Sequence, residues 1–567
     1  MNIKALYHRP DSNFCFPLSD HEITIRLRVD AADHFAKVEL VYNSKYLIQG
    51  QQLVKTMARA YDDGTFAYYE ITLDLKDTRL AYVFRLYEGS QAYYFSERGL
   101  TQTYDFNLSY YDFFQFPFIN DADVIKVPAW TKKALFYEIF VDRFNKGDTT
   151  KDQSYITMKW GAIPTNHDYA GGDLKGIIQK LDYIKGWGFN ALYLTPIFKS
   201  RSYHKYDIED YDKVDSQFGN LDDLKALVKK AHKRDIKVVL DGVFNHCSWN
   251  LKQFQDVVKN GRASPYADWF IFKGDHLNLD EPNYEMFAFC KDMPKLNSSN
   301  SEVQRFVCDI GARYVKEYGI DGWRLDVSDE VSHDLWRGFR KTVKALNPDC
   351  LILGENWHDS YPFLIGDQFD GVMNYPFTKA CLDGFKKPGL SAAALAGRLN
   401  GLLVREKGPI NQMMLNLLDS HDTHRFFSEV DEDKDRLLAA LALLLVYPGM
   451  PCVYYGTEIP LPGGYDPDSR RCFPWGQPQN GEYQKALRRL LALRTLKPVQ
   501  EGETRIVSKG TMLAVDRFIP DGPSVTLYLN MGPEGAYFQA DGDVVASSNF
   551  VGPLLPSFGY VVTLKGE

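Results

Sequence analysis

The sequence predicts a parallel (β/α)8 barrel, preceded by a β-sandwich and followed by an antiparallel β-domain. From Lys133 onward, short apolar segments alternate with amphipathic helical segments. Eight of the apolar segments are typical of strands buried on both faces, and eight is the number that a closed parallel barrel requires. They are ALFYEIFVDRF, NALYLTPIF, IKVVLDGVF, GWRLDV, LILGENW, GVMNYPF, QMMLNLLDS and MPCVYYGTE.

The 567 residues exceed what one hydrophobic core supports, so two to four domains are expected from the length. Alternating strand patterns place a β-sandwich at residues 1–122 and a C-terminal β-domain at residues 499–567, with the barrel between them at residues 123–498. Residues 246–300, after the third strand, lack clear helical periodicity and are far longer than an ordinary βα loop. We interpret them as an inserted subdomain over the mouth of the barrel.

Three segments carry helix signals. NLDDLKALVKKAHKRD has one apolar face, with Asn220 as its expected N-cap. SEVQRFVCDIGARYV has the same periodicity, and Ser301 with Gln304 is expected to form a capping box. Residues 437–447 are almost wholly apolar but too short to span a bilayer, which predicts a buried helix.

Composition excludes several classes of protein. The net charge of -8 argues against a binder of duplex nucleic acid, which needs a basic face. None of the eight cysteines lies in a C-x-x-C pair, a pattern typical of free thiols in a reducing compartment. MNIKALYHRPDSNF lacks the apolar segment of a signal peptide. We therefore expect a cytoplasmic protein with no nucleic-acid partner and no membrane span.

Four carboxylates follow predicted strands three, four, five and seven: Asp241, Asp326, Glu355 and Asp422. The carboxyl ends of barrel strands meet at one face, so these groups are expected to converge on one pocket. Ionised groups at the mouth of an apolar barrel are costly unless chemistry needs them there. This placement predicts an enzyme.

Two carboxyl groups in opposite protonation states suffice to hydrolyse a glycosidic bond. Arg324 lies two residues before Asp326 on the same side of its strand, so it is expected to lower the pKa of Asp326 and suit it to nucleophilic attack. Glu355, beside the apolar body of Trp357, suits the role of acid. Histidines near the sugar would donate to its hydroxyls. Histidine spacing typical of a zinc centre is absent.

The segments DGVFNH, GWRLDV, GENWH and SHDT resemble, in order, the four principal signature segments of the α-amylase superfamily of retaining glycoside hydrolases. The resemblance implies that Asp326 is the nucleophile, Glu355 the general acid and base, and Asp422 the stabiliser of the transition state. It also implies that Asp241 supports the site, and that the sugar-binding subsites are lined by Tyr206, His246, Arg324, Trp357 and His421.

Finer features resemble the cyclomaltodextrinase, neopullulanase and maltogenic amylase group. These are MPKLN at residues 293–297, GDQFDGVMNYPF at residues 366–377, and GGYDPDSRR, which makes Asp466 and Arg470 candidate substrate contacts. The resemblance implies hydrolysis of α-1,4-glucosidic bonds in cyclodextrins, maltooligosaccharides and pullulan or starch, with some transglycosylation. It also implies a homodimer formed through the N-terminal domain. Glu330 is a candidate acceptor-site residue, with a solvated loop carboxylate as the alternative.

Other functions stay open at this point. Within enzymes, the alternatives are an oligo-α-1,6-glucosidase, which MPKLN disfavours, and a dedicated transglycosylase. Outside enzymes, the alternative is a glycan-binding protein on an inactive amylase fold. Retention of all three catalytic carboxyl groups disfavours it. The N-terminal domain could equally be a starch-binding module or a stabilising appendage.

The loop after the first barrel strand departs from its relatives. Members of this branch often hold calcium there, whereas KGDTTKD keeps Asp148 and Asp152 but has Lys146 and Lys151 at the asparagine positions. Calcium prefers six to eight oxygen ligands, and lysine supplies none. We predict that no cofactor is required and that a lysine ammonium neutralises Asp148, Asp152 and Asp173. Calcium binding stays an alternative.

Overall fold

A computed structural model describes residues 1–108, 112–387, 389–548 and 553–566. The N-terminal region is a sandwich of two antiparallel sheets that enclose their own hydrophobic core, as predicted. One sheet has the order β1-β2-β6-β5, and the other has β4-β3-β7-β8-β9 with β10 also paired to β7. The strands are β1 (Cys15–Pro17), β2 (Glu22–Asp30), β3 (Lys37–Ser44), β4 (Leu53–Thr56), β5 (Ala58–Asp62), β6 (Phe66–Asp74), β7 (Leu80–Glu88), β8 (Gln91–Ser96), β9 (Gly99–Thr101) and β10 (Phe114–Phe116).

All eight predicted barrel strands are present, and every strand pair in the barrel is parallel. A parallel bridge between Met373 and Leu415 closes the ring. The strands are β11 (Phe136–Ile139), β12 (Ala191–Leu194), β15 (Lys237–Val243), β16 (Gly322–Asp326), β17 (Leu351–Gly354), β18 (Gly371–Val372), β19 (Leu415–Leu417) and β20 (Met450–Tyr454). A hairpin of β13 (Phe198–Ser200) and β14 (Ile208–Val214) follows the second barrel strand.

Helices surround the barrel and bury their apolar faces against it. They are α1 (Val141–Phe144), α2 (Leu174–Trp187), α3 (Leu221–His232), α4 (Lys252–Asn260), α5 (Ser301–Arg313), α6 (His333–Leu346), α7 (Tyr375–Phe385), α8 (Ala392–Arg405), α9 (Gly408–Asn411), α10 (Phe426–Glu429), α11 (Lys434–Val446), α12 (Glu482–Ala492) and α13 (Lys497–Glu501).

The helix predictions hold with one correction. Asn220 caps α3 by accepting from two backbone N–H groups, and every residue of α11 from Arg436 on is buried. The expected box of Ser301 with Gln304 is wrong, because Asn300 caps α5 instead by accepting from the N–H groups of Glu302 and Val303. Within the described ranges, no helix is long and apolar enough to cross a bilayer.

The segment after β15 leaves the barrel and returns to its mouth. Residues Lys252–Asn260 form helix α4, so the expectation that the segment lacks helical periodicity is wrong there. Its apolar buried residues are Phe254 and Val257. The rest is irregular and is tied back to itself by isolated bridges, such as Met286 with Pro294 and His246 with Lys295. These bridges hold the tip of the segment over the carboxyl ends of the strands.

The C-terminal region is the predicted antiparallel sheet, with the order β21-β22-β23-β27-β25. Its apolar face shares one continuous core with the barrel, unlike that of the N-terminal sandwich. Its strands are β21 (Glu503–Lys509), β22 (Met512–Phe518), β23 (Ser524–Asn530), β25 (Asp543–Ser547) and β27 (Tyr560–Lys565), with the separate pair β24 (Ala536–Tyr537) and β26 (Leu554–Leu555).

Candidate active site

One buried arginine joins the predicted carboxylates. Arg324, in β16, is 0% exposed, and its Nη1 donates to Asp241 Oδ2 at 2.9 Å and to Asp326 Oδ1 at 2.8 Å. Its Nη2 lies 2.8 Å from Glu355 Oε2 and 3.9 Å from Asp422 Oδ2. The four strand ends therefore converge, as the sequence predicted, and they do so around a single guanidinium group.

The backbone after β16 is strained at the point where it meets Glu355. Val327 has a φ of 44°, in the left-handed region that β-branched residues rarely adopt. In this conformation its N–H donates to Glu355 Oε2 at 2.9 Å, while Trp357 Nε1 donates to Glu355 Oε1 at 3.1 Å. The sequence suggested an apolar contact from Trp357. The indole instead meets Glu355 through its polar edge and stacks its face on Tyr375, with ring centroids 3.7 Å apart.

Asp326 differs electrostatically from the prediction. Burial raises the pKa of Asp326 well above its ordinary value, and the neighbouring Glu355 raises it further. Arg324 does lower the pKa of Asp326, as expected, but burial and Glu355 outweigh it, so the expectation of a net pKa below the ordinary value is wrong. Asp326 and Glu355 share one guanidinium.

Asp422 is held from both sides. His421 Nε2 lies 2.9 Å from Asp422 Oδ2, and Arg470 Nη2 donates to Asp422 Oδ1 at 3.2 Å. Burial opposes ionisation of Asp422, but the contact with His421 outweighs it and holds the pKa of Asp422 well below its usual range. Asp466 lies 3.4 Å from Arg470 Nη1, which places this predicted pair at the edge of the same site.

Tyr206 and His246 face the reacting groups. The Tyr206 hydroxyl donates to Asp241 Oδ2 at 3.0 Å and contacts His421 Nε2. His246 Nε2 lies 4.0 Å from Asp326 Oδ2 and, among the described residues, has no hydrogen-bond partner. Burial lowers the pKa of His246 to about 3, so its imidazole is neutral at ordinary pH. A neutral imidazole with a free nitrogen can bond a sugar hydroxyl.

These groups lie in or beneath a pocket of about 580 Å³, within the usual range for small-molecule sites. Of the predicted residues, Tyr206, His246, Asp326, Glu355, Trp357, Asp422, Asp466 and Arg470 line it, as does Glu330. Asp241, Arg324 and His421 lie buried beneath it. The sequence did not identify His204, Phe287, Cys290, Met293, Val327 and Asp329, which also line it.

Phe287 and Glu138 were not predicted from the sequence, for different reasons. Phe287 stacks on His246, with ring centroids 4.7 Å apart, but it comes from the irregular segment after β15 and carries no motif. Glu138 lies in strand β11, and its Oε1 is 2.6 Å from His421 Nδ1. The only signal for Glu138 is an acidic residue within an otherwise apolar strand.

The loop after β11 contains a lysine where oxygen atoms converge. Lys151 Nζ lies 2.8 Å from Asp173 Oδ2 and donates to the carbonyl oxygens of Gly171 and Gln217. A divalent cation does not fit beside an ammonium group that already occupies these acceptors. Across the ranges that the structure describes, no cluster of metal-ligating side chains is found.

The other members of this loop depart from the prediction. Asp148 pairs with Lys175 at 2.6 Å, and this contact lowers the pKa of Asp148. Asp152 accepts from the hydroxyl and N–H of Ser154. Lys146 lies over the ring of Trp160. The idea that one lysine neutralises Asp148, Asp152 and Asp173 together is therefore wrong, although Lys151 does pair with Asp173.

Comparison with known proteins agrees with this architecture. Residues 138–497 match the α-amylase catalytic domain, and residues 1–120 match the α-amylase N-terminal Ig-like domain. A cyclomaltodextrinase of Thermoanaerobacter pseudethanolicus is 39% identical over 93% of this chain and 92% of its own length. An intracellular maltogenic amylase of Bacillus subtilis is 39% identical over 87% of this chain and 84% of its own.

The overall structure is also similar to a solved one. A cyclomaltodextrinase structure superposes with a TM-score of 0.91 at 35% identity, and the match covers 100% of both chains. A catalytic-domain match over more than half of the chain, together with relatives of this identity and coverage, establishes the family. The chain belongs to the α-amylase family, in the group that contains cyclomaltodextrinases, maltogenic amylases and neopullulanases.

Proposed function

We propose that this enzyme is a retaining α-glucan hydrolase that cleaves α-1,4-glucosidic bonds of cyclodextrins and maltooligosaccharides, with some transglycosylation. The observation that carries the proposal is the bridging of Asp326 and Glu355 by the two ends of the Arg324 guanidinium, at the floor of an open pocket. Retaining enzymes need two carboxyl groups only about 5 Å apart, and a shared guanidinium favours that close arrangement.

In the first step, Asp326 attacks the anomeric carbon while Glu355 gives its proton to the leaving oxygen. A glycosyl ester with Asp326 forms as the glycosidic bond breaks. In the second step, Glu355 takes a proton from water, which attacks the ester and releases the sugar with its configuration retained. Attack by a sugar hydroxyl instead of water gives transglycosylation. Glu330, which lines the pocket and pairs with Lys295 at 3.1 Å, is our candidate contact for that acceptor.

The remaining groups serve the charged transition state. Asp422, fixed by His421 and Arg470, accepts hydrogen bonds from sugar hydroxyls of the oxocarbenium-like ring. His246 bonds a hydroxyl through its unpartnered nitrogen, and Tyr206 contributes its ring to the same subsite. Asp241, which is fully buried and bonded to Arg324, holds the guanidinium in place without touching substrate.

We also propose that the enzyme needs no metal ion for catalysis. The Lys151 ammonium, bonded to one carboxylate and two carbonyl oxygens, ties together the loop after β11, the residues before α2, and the turn at Gln217. This is the structural task that a calcium ion with oxygen ligands performs elsewhere. We expect chelators to leave both activity and melting temperature unchanged.

We also propose a cytoplasmic enzyme that forms a homodimer through its N-terminal domain. Seven of the eight cysteines are buried, and none of the eight is in a disulfide, which suits a reducing compartment. On the sandwich, Tyr46 is 72% exposed, and Leu47, Leu53 and Val54 are also exposed, so several apolar side chains are available for association. Light scattering of the full chain and of a Tyr46→Lys, Leu53→Lys variant tests the dimer.

The experiment that tests the function is product analysis with β-cyclodextrin, pullulan and soluble starch, with Asp326→Asn as the inactive control. Rapid opening of cyclodextrin to maltose and glucose, with starch much slower, is the expected result. Faster cleavage of starch would instead indicate a conventional amylase. Absence of any turnover that depends on Asp326 would favour a glycan-binding protein.

A further inference from the structure

A second buried carboxylate lies behind the site. Glu138 is 0% exposed, and its Oε1 accepts the backbone N–H of His421 at 3.1 Å and lies 2.6 Å from His421 Nδ1. Within the described part of the chain, its Oε2 has no hydrogen-bond partner. Burial of a carboxylate with one oxygen unpaired is costly, and a glutamine would bond the imidazole without that cost. The charge of Glu138 therefore calls for an explanation.

His421 lies between two carboxylates. Its Nδ1 faces Glu138, and its Nε2 faces Asp422 at 2.9 Å and the Tyr206 hydroxyl. An imidazole nitrogen that faces a carboxylate must carry a hydrogen, so this ring carries one on each nitrogen. Burial alone would lower the pKa of His421, but the contacts with Asp422 and Glu138 outweigh it and raise the pKa to about 10.

We propose that Glu138 is a positioning residue that keeps His421 doubly protonated, so that the Nε2–H of His421 holds Asp422 in its working orientation. This inference rests on the proposed function. With Glu138 neutral, Nδ1 would lose its proton at lower pH, and the neutral ring would keep its one hydrogen on Nε2, which still faces Asp422. A neutral N–H bonds a carboxylate more weakly than a charged one, so Asp422 would be held less firmly and would bond the sugar hydroxyls poorly.

The charged and titratable groups that face His421 come from several elements. Asp422 and Tyr206 contact the ring, Tyr193 packs beside it at a centroid distance of 6.3 Å, and Asp241 lies behind Tyr206. Arg470 donates to the His421 carbonyl oxygen at 2.9 Å. All of these stay unchanged when Glu138 is replaced, so a change in the titration of His421 is attributable to the Glu138 charge.

The test uses Glu138→Gln, which keeps the shape and removes the charge. α-Maltosyl fluoride is the substrate, because fluoride leaves without a proton and the alkaline limb of kcat/KM is then independent of the general acid. The active form has His421 protonated, so activity is present below its pKa and lost above it. We expect the alkaline limb to move down by at least one pH unit, which is about tenfold in kcat/KM on that limb.

Asp419→Asn is the matched control. Asp419 is a buried acid two residues from His421, but its carboxylate accepts from the N–H of Phe426 and does not touch the imidazole. We expect this variant to keep the wild-type alkaline limb, whatever its effect on stability. A Glu138→Gln enzyme that loses activity equally at every pH, or that loses none, would overturn the proposal.

Glu138→Asp provides an independent check if the glutamine variant does not fold. It keeps the charge but withdraws it by one methylene group, so its alkaline limb is expected between those of wild type and Glu138→Gln. A slowed Asp variant with an unmoved limb would also overturn the proposal. Failure of the proposed function is distinguishable, because the wild-type enzyme would then show no turnover of maltosyl fluoride that depends on Asp326.

Discussion

Arg324 in the active site and Lys151 in the loop after β11 differ in the balance of charge around them. Arg324 lies within 4 Å of four carboxylates, so negative charge is in excess around it. Lys151 faces the single carboxylate of Asp173 and two carbonyl oxygens, so its charge is balanced. The first cluster borders an open pocket, whereas the second is nearly closed to solvent.

This difference in charge balance distinguishes a catalytic role for the Arg324 cluster from a structural role for the Lys151 cluster. Burial and the neighbouring Glu355 raise the pKa of Asp326, and Val327, next to Asp326, is strained. Among the described residues, His246 Nε2 has no hydrogen-bond partner. Perturbing the first cluster should therefore abolish activity with little loss of stability, and perturbing the second should do the reverse.

The largest effect is expected from Asp326→Asn. Loss of the nucleophile prevents formation of the glycosyl ester, so kcat on β-cyclodextrin should fall by roughly 10⁴-fold or more. The variant keeps one hydrogen bond with Arg324 and relieves the excess of negative charge, so its free energy of unfolding should stay equal to or exceed that of wild type. Steady-state kinetics and urea unfolding check the two parts. A variant that is inactive because it is unfolded would contradict the comparison.

Glu355→Gln should have the next largest effect. Loss of the general acid is expected to slow β-cyclodextrin cleavage by about 10²- to 10⁴-fold. With maltosyl fluoride, kcat/KM should largely recover, because that leaving group needs no proton. Equal losses of kcat/KM on β-cyclodextrin and on maltosyl fluoride would contradict the role of Glu355 as the general acid.

Lys151→Met tests the other cluster. Removal of one partner leaves Asp173 and two carbonyl oxygens unpaired, and unfolding free energy should fall by about 3 kcal/mol. Lys146→Met is the matched control and should change it by less than about 0.5 kcal/mol, because Lys146 only lies over Trp160. Specific activity of the folded Lys151→Met enzyme should be close to wild type. Stoichiometric calcium in the wild-type protein by elemental analysis would contradict the assignment.

The smallest effect is expected at Trp357. Trp357→Phe keeps an aromatic face against Tyr375 but removes the N–H that bonds Glu355. The loss of one hydrogen bond corresponds to a decrease in kcat/KM of about three- to tenfold. Kinetics on β-cyclodextrin measure it, with Trp357→Ala as the comparison that also removes the stacked face and should lose more. Equal losses in both variants would mean that the indole N–H carries the whole effect.

The sequence predicted most of the fold because its signals are local. Eight apolar strands, the Asn220 cap and the buried helix α11 follow from patterns within about 15 residues. The cap of α5 was misplaced because NSSNSE offers several residues that can cap a helix, and only the backbone conformation selects Asn300. Helix α4 was missed because its buried face is only Phe254 and Val257 with Gln253.

The site residues were predictable where sequence motifs lie at the ends of strands. They were unpredictable where a contact joins residues that are far apart in the sequence. Asp326, Glu355 and Asp422 follow strands, so the barrel itself brings them together. Glu138 and His421 are 283 residues apart, and the sequence around neither residue indicates that they are in contact. The pKa of Asp326 was misjudged because Arg324 is only two residues away in the sequence, whereas the opposing effects of burial and of Glu355 depend on the folded structure.

Formation of a covalent glycosyl ester on Asp326, within the Arg324 cluster, is the step on which the proposed mechanism depends. It is tested most directly by mass spectrometry of Glu355→Gln after incubation with maltosyl fluoride. This substrate glycosylates the enzyme without an acid, and the missing base delays hydrolysis, so the ester should accumulate. We expect one added maltosyl group on the peptide that contains Asp326. A label on a different peptide, or turnover with no covalent species, would contradict it.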